Sequence, residues 1–348
     1  MSGMDRSQFG VGPGGLTVKD SATVICARVR PGPPVQLYPE DCGGRDSPFI
    51  KGLSGVFGAK GAFTFESGWE VLLGQGEVVN WLRSTQEKLA TMRYPGEWKL
   101  AGGNVEPGDT VDATAHRELS EEFLAPLGLE LPSGAKLRPF VTKQTRPIRG
   151  QSNLMHCYVA LEAENGWLSE LDIRAVNEGL EARRRRFASL AAGADGAPTA
   201  AFWSLPPRER EAVTPEVRQV AWVPLREAVR HCLQSMTPGT FVNDFQERAF
   251  AKYRIKRRDP MFITGACLLE LEGFPGTRSL VAHCEGVDLA RLTLEEQWLF
   301  QGMSQDEVDE AFRKRVTSAP HGANPSFKSA DMVSELRRQR GRAMRGKL

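Results

Sequence analysis

Three glutamates, Glu118, Glu121 and Glu122, fall within five consecutive residues of a stretch that reads as one helix. Carboxylates three and four apart on a helix share a face, so Glu118 stands over both Glu121 and Glu122. Like charges so placed repel, by roughly 0.2–0.5 kcal/mol per pair. A hard divalent cation reverses the sign, because Mg²⁺ and Mn²⁺ take oxygen ligands and combine a few carboxylates with waters and substrate phosphate. Such a metal can orient phosphate oxygens, offset their charge and activate water. The plainer reading is a solvated acidic face, and Glu-x-x-Glu-Glu taken alone favours it. On either reading the cluster faces solvent, so exchanging Glu121 or Glu122 for Gln should leave the fold intact.

The helix that carries them runs from Thr110 to Phe123, with Asp109 or Thr110 as its cap. Val111, Ala115, Leu119 and Phe123 recur at the spacing of one buried stripe. Arg117 points roughly 100° away from its neighbour Glu118. Ahead of the helix, "GGNVEPGD" has the glycines and proline of a tight loop, which lets backbone approach a ligand closely.

Strands are expected at 21–30 ("SATVICARVR") and 69–76 ("WEVLLGQG"), and an antiparallel pair in "LRPFVTKQTRP" and "SNLMHCYVALEAE". Residues 77–92 read as an inserted helix, 168–192 as a helix ending in Arg183–Arg186, and "GADGAPTAAFWSLPPRERE" as a loop. Residues 217–235 show strand, proline, helix; beyond them come a helix at 241–255, an apolar strand "MFITGACLLELEG" and a helix around 293–315. The order is mixed, with consecutive strands able to pair antiparallel, so the class is α+β. Organisation follows: a flexible start (1–20), a main domain (21–235), a C-terminal extension (236–317) and a basic tail (318–348).

At 348 residues with 41% hydrophobic side chains the chain can bury a large core, and 45 basic against 43 acidic residues gives no global pull towards nucleic acid or membrane. Six cysteines form no CxxC pair, which argues for reduced, buried thiols and against a structural zinc site. No apolar run reaches bilayer length and the start lacks a secretory core; a cytosolic setting is the default, with a short organellar presequence as the alternative.

The stretch as a whole resembles the Nudix box, Gly-x5-Glu-x7-Arg-Glu-aliphatic-x-Glu-Glu-x-Gly-aliphatic. The matching residues are Gly103, Asp109, Arg117, Glu118, Leu119, Glu121, Glu122, Leu124 and Ala125. Asp109 replaces the family's Glu and Leu124 its Gly; in the preceding "PGEWKLAGG", Ala101 replaces a proline. "WEVLLGQG" and "VRQVAWVPLREAVRHC" resemble the strands before the box and at the end of the domain, so the resemblance spans about residues 20–235. It implies an α/β/α sandwich with a mixed sheet, insertions and an added C-terminal α/β region. It further implies that Glu118, Glu121 and Glu122 ligate Mg²⁺ or Mn²⁺, that Asp109 orients Arg117 through an ion pair, and that Gly102 and Gly103 line the mouth where substrate binds. Leucine at position 124 would be strained in the left-handed conformation a glycine allows, so the helix exit should differ.

The implied reaction is metal-dependent hydrolysis of the P–O–P bridge in a nucleoside diphosphate linked to another moiety. The alternative is a catalytically silent nucleotide-binding sensor or assembly subunit. "LRSTQEKLATMRYPGEWKLAGG" resembles, with a longer interval, the upstream signature of coenzyme A pyrophosphatases. Arg83 and Arg93 are candidate phosphate ligands against a reading as solvated charges, and Trp69, Trp81 and Trp98 candidate base-stacking groups against a reading as core. RNA is a further substrate class, drawing on Arg183–Arg186 and the basic tail, but is not favoured. Glu216 is a candidate general base. The extension is a lid, a homodimer element or a partner site.

Overall fold

The computed structural model describes residues 17–42, 61–85, 88–125, 128–144, 151–191, 198–235, 243–253 and 261–272. Residues 1–16 and 43–60, the helix expected around 293–315, the basic tail and Cys284 lie outside the described residues. Nine strands are described: β1 (Thr17–Val29), β2 (Val35–Leu37), β3 (Phe63–Phe65), β4 (Trp69–Gly76), β5 (Trp98–Lys99), β6 (Ala101–Asn104), β7 (Arg138–Gln144), β8 (Gln151–Leu161) and β9 (Val217–Pro224). The helices are α1 (Val111–Leu119), α2 (Gly166–Glu170), α3 (Ile173–Leu190), α4 (Ala200–Trp203), α5 (Pro207–Val213), α6 (Leu225–Gln234), α7 (Asp244–Tyr253) and α8 (Phe262–Leu271).

β1 is the centre of a mixed sheet ordered β5-β4-β1-β8-β7, with β6 also on β1 and β9 also on β4. Its β-branched run pairs in parallel with β8 from Thr17↔Gln151 to Ala27↔Leu161. On the other edge its first half meets β6 (Ser21↔Asn104 to Val24↔Ala101) and its second half meets β4 (Ala27↔Val71 to Val29↔Trp69), both antiparallel. One strand thus holds both β4 and β6, which precede the box loop. The β7–β8 pair is antiparallel, as expected from their sequences.

Alternation along the central strands fills both faces. Val24, Cys26 and Leu72 point to one side, where Ala115, Leu119 and Phe123 of the box segment meet Leu168 of α2 and Val176 and Leu180 of α3. Ile25, Ala27, Val71 and Leu73 point to the other, against Ala228, Val229 and Cys232 of α6 and Cys267, Leu268 and Leu269 of α8. Helices therefore cover both faces, and the class is α+β. Cys26, Cys42, Cys157, Cys232 and Cys267 are free and buried, as the spacing suggested. No described helix is long and apolar enough to cross a membrane.

Four expectations need correction. Residues 77–92 hold no helix among the described positions: Val79 bridges Thr91, and the Asn80 and Ser84 side chains capture the amides of Arg83 and Ala90 at 3.0 and 2.9 Å. Such side-chain bonds offer the backbone an alternative to the helical ladder. "MFITGACLLELEG" forms helix α8, not a strand; an apolar run this short has no periodicity to separate the two, and burial on α6 decides. The segment read as loop contains α4 and α5, the latter started by Pro207 in its first turn. The helix of 168–192 is two: α2 stops at Glu170, and Asp172 caps α3 by accepting from Arg174 and Ala175 amides at 2.9 and 3.2 Å.

The first part of the C-terminal extension is built into the same body. In α7, fully buried Gln246 donates to the Pro95 carbonyl at 3.0 Å and to Glu97 Oε1 at 3.1 Å, and Asn243 donates to the Gly96 carbonyl at 2.9 Å. These bonds hold the turn that leads into β5 and the box.

Candidate active site

Thr110 caps α1 by accepting from the Ala113 amide at 3.1 Å, and the Tyr158 hydroxyl donates to Asp112, fastening the first turn to β8. After Leu119 the helix widens into one π turn, Ser120–Leu124, in which the Ala125 amide bonds to the Ser120 carbonyl. A π turn inserted in an α-helix shifts the face that later residues present. Neighbours on a helix stand roughly 100° apart, and Glu121 and Glu122 leave the segment on opposite sides of Glu118.

Glu121 turns outward: 57% of its side chain is exposed, and it accepts from Arg117 Nη1 at 3.1 Å. Glu122 turns inward, with 7% exposed, and pairs with Lys99 of β5. Glu118 lies between them, 14% exposed, 3.0 Å from Arg117 Nη1. The expectation of a wholly solvent-facing cluster therefore fails for Glu122. Among the described residues no three His, Cys, Asp or Glu side chains stand grouped so as to hold a metal ion, because Arg117 and Lys99 hold two of the glutamates apart.

Burial pushes the Glu118 carboxyl up, partly offset by Arg117. The Glu122 carboxyl rises to about 7, again chiefly by burial, against the pull of Lys99 and with Glu118 and Glu216 adding to the rise. Burial works against the charged form of Lys99, but Glu122, Glu216 and Glu118 together hold its ammonium protonated. Glu216, at the entry to β9, thus belongs electrostatically to this inner group. Arg183 is felt from the far side by Glu216 and Glu121, and burial lowers its pKa.

Gly102 and Gly103 have different tasks. A Cβ on Gly102 would lie 2.4 Å from the Ala22 carbonyl oxygen, so this position is bare to let β6 reach β1. A Cβ on Gly103 would lie 2.2 Å from Glu118 Oε1, so this one is bare to make room for the carboxylate. Asp109 reaches Arg117 Nε only to 3.6 Å, an ion pair too long for a hydrogen bond, and Arg117 Nε and Nη2 are buried without a hydrogen-bond partner. Leu124 is buried within the π turn and needs no left-handed backbone; a positive φ appears instead at Gly128, +68°.

Other candidates disperse. Trp81 packs in an aromatic cluster with Phe187 and Tyr253, and Trp69 and Trp98 pack against the core. Arg183 donates to the Ala212 and Glu211 carbonyls and Arg184 to the Arg218 carbonyl, while Arg185 and Arg186 face solvent. Lys99 was not singled out from sequence, although a charge between Trp98 and Leu100 on a strand entering the box is a visible anomaly.

The NUDIX domain family matches residues 71–199, the span holding most of β4, Lys99 and the entire box. The chain carries a NUDIX domain. Such a domain supports hydrolase activity on phosphoanhydride bonds. No curated protein matches the chain. Solved structures similar to it include a mutT/nudix family protein from Listeria innocua, 15% identical with TM-score 0.27, over 68% of this chain and 94% of the other. The C. elegans Ap4A hydrolase is 12% identical with TM-score 0.26, over 62% and 86%. The NUDIX domain of Shewanella oneidensis NrtR, complexed with ADP ribose, is 13% identical with TM-score 0.26, over 68% and 87%.

Proposed function

We propose that this chain is a Mg²⁺- or Mn²⁺-dependent pyrophosphohydrolase that cleaves the P–O–P bridge of a nucleoside diphosphate linked to another moiety. The observation that carries the proposal is Glu122 Oε2: a carboxylate oxygen in a buried side chain, accepting no hydrogen bond, beside a second poorly solvated carboxylate, Glu118. Buried like charges are costly unless a cation joins them. All-oxygen donors and the bare Gly103 fit a hard divalent ion.

Glu118 and Glu122 would hold it, with Glu121 joining once its side chain leaves Arg117. The bound metal supplies charge neutralisation on the pyrophosphate and a more acidic water. Arg117 keeps Glu118 in place, with Asp109 as its distant counter-ion. The Gly102–Gly103 backbone borders the mouth that receives the phosphates. Glu216, within electrostatic reach of Glu118 and Glu122, is the base candidate for the attacking water. Residues 21–235 form the hydrolase domain in this reading, which keeps the cytosolic setting.

A second reading has one specific observation in its favour: Lys99 already neutralises Glu122, as a ligand-binding module without turnover would allow. The test is product release from ADP-ribose, NADH, dinucleoside polyphosphates, coenzyme A and capped RNA, with Mg²⁺ or Mn²⁺, beside the Glu118→Gln protein. Metal-dependent cleavage that the variant loses supports the enzyme. Binding of a panel member without cleavage sinks it in favour of the silent module.

A further inference from the structure

Lys99 is the only lysine that the described ion pairs bring into the carboxylate group, and its position does not depend on side-chain choice alone. Its backbone is fixed opposite Gly74 in the β4–β5 ladder, and Trp98 opposite Gln75. The lysine stem runs alongside Gly76, where a Cβ would lie in ordinary contact with its Cε at 3.8 Å. From this strand the ammonium closes on Glu122 Oε1 while Oε2 keeps no partner, and Glu216 and Glu118 lie within its electrostatic reach. A monovalent cation of the protein's own thus stands where the carboxylates would gather a divalent one.

We infer that Lys99 is a positioning residue that competes with the divalent metal for Glu122, so that metal entry requires the ammonium to leave this carboxylate. The inference rests on the metal-dependent reading above and deepens it. Two physical points support it. Both cations need the same buried carboxylate, and a unit positive charge within a few ångströms of a metal ligand opposes a second cation strongly in a poorly solvated site. A binding-competent arrangement that must first be released lowers the apparent affinity by its fractional population. Lys99 therefore keeps the empty site neutral and folded, and it sets a threshold of metal concentration below which Glu122 stays capped.

Mn²⁺ binding, read from the loss of the free-ion electron paramagnetic signal without any substrate, tests this on the full chain. Lys99→Gln should tighten the Mn²⁺ dissociation constant by about tenfold or more. Lys99→Arg, which keeps the charge, should stay within about twofold of the native protein. An unchanged or weaker constant in Lys99→Gln overturns the inference, and equal tightening in Lys99→Arg does so too, since loosened packing would then be the cause.

Should Lys99→Gln fail to fold, the native protein answers by itself. Acylation of Lys99 by an amine-reactive ester, mapped by mass spectrometry, should rise several-fold on saturation with Mn²⁺. Protection that persists at saturation overturns the competition. The two readings separate cleanly. Mn²⁺ binding that Glu118→Gln abolishes but Lys99→Gln leaves untouched removes only this inference, whereas no binding by the native protein removes the metal-dependent function itself.

Discussion

The box segment has an inner and an outer half, built from the same residue types only a few positions apart. On the outer half Arg117, 31% exposed, pairs with the exposed Glu121 at 3.1 Å and with Asp109 at 3.6 Å. On the inner half Glu122, Lys99 and Glu118 are largely withdrawn from water, and Phe123 and Leu124 are buried beside them. Neighbouring residues on a helix stand roughly 100° apart, and here Glu121 goes to Arg117 while Glu122 goes to Lys99. Charge alone therefore does not rank these residues: an ionic contact in water contributes little, while the same contact under the sheet is costly to form and costlier to break.

The largest effect should come from restoring the family's glycine on the inner half. Leu124→Gly removes a buried side chain and adds backbone freedom, so unfolding in urea should show a loss of about 3–5 kcal/mol. A variant of native stability would mean that the turn is not packed as described. Next, Glu122→Gln should lower kcat by about 10²–10³-fold, the scale of losing one preorganised electrostatic contact. It should also destabilise the metal-free protein measurably, because Lys99 loses its counter-ion. Glu121→Gln, by contrast, should change metal-free stability by less than about 1 kcal/mol. Equal destabilisation by the two would erase the inner–outer distinction.

Adjacent glycines sharpen the comparison. Gly103→Ala pushes only on the flexible tip of Glu118, so turnover should fall about 10–100-fold with stability nearly unchanged. Gly102→Ala pushes on the β1 backbone and should cost about 1–3 kcal/mol in a thermal melt. If the two variants exchanged these signatures, Glu118 would not be resting on Gly103. The smallest effect belongs to the outer half: Asp109→Glu gives the carboxylate the reach to hydrogen-bond Arg117, worth at most about 1 kcal/mol in the same melt. A larger gain would show that Arg117 is more sheltered than its surroundings suggest.

Much of this architecture could be read before folding was considered. "WEVLLGQG" coincides with β4, and "VRQVAWVPLREAVRHCLQS" with β9 and α6, because alternation, proline and a strong helical stripe each leave one interpretation. The start of α1 was legible to within one residue, Asp109 or Thr110, from its cap and the Ala115–Leu119–Phe123 stripe, and the structure selects Thr110. What the chain did not reveal depends on contacts distant in sequence. A helical wheel sets Glu121 and Glu122 on either side of Glu118, and only the folded chain shows that Arg117 takes the first and Lys99 the second. Lys99 acquires meaning only when the β4–β5 ladder aims it at Glu122, 23 residues onward. Helix α8 lacked any amphipathic signal because it is apolar nearly all round, and its partner α6 decides its form.

The parallel union of β1 with β8 has a consequence in time. A ribosome releases Thr17 long before Gln151, so the middle of the sheet waits unclosed while the box segment and its acidic side chains are already outside the exit tunnel. Closing so long a loop is entropically slow and comes before the contacts that reward it. During that interval β1, β-branched and apolar, is an open template for any passing strand. Nascent chains arrested just short of residue 151 should therefore aggregate or recruit chaperones, and chains arrested well past Leu161 should not. The vulnerable moment in the life of this protein is its synthesis.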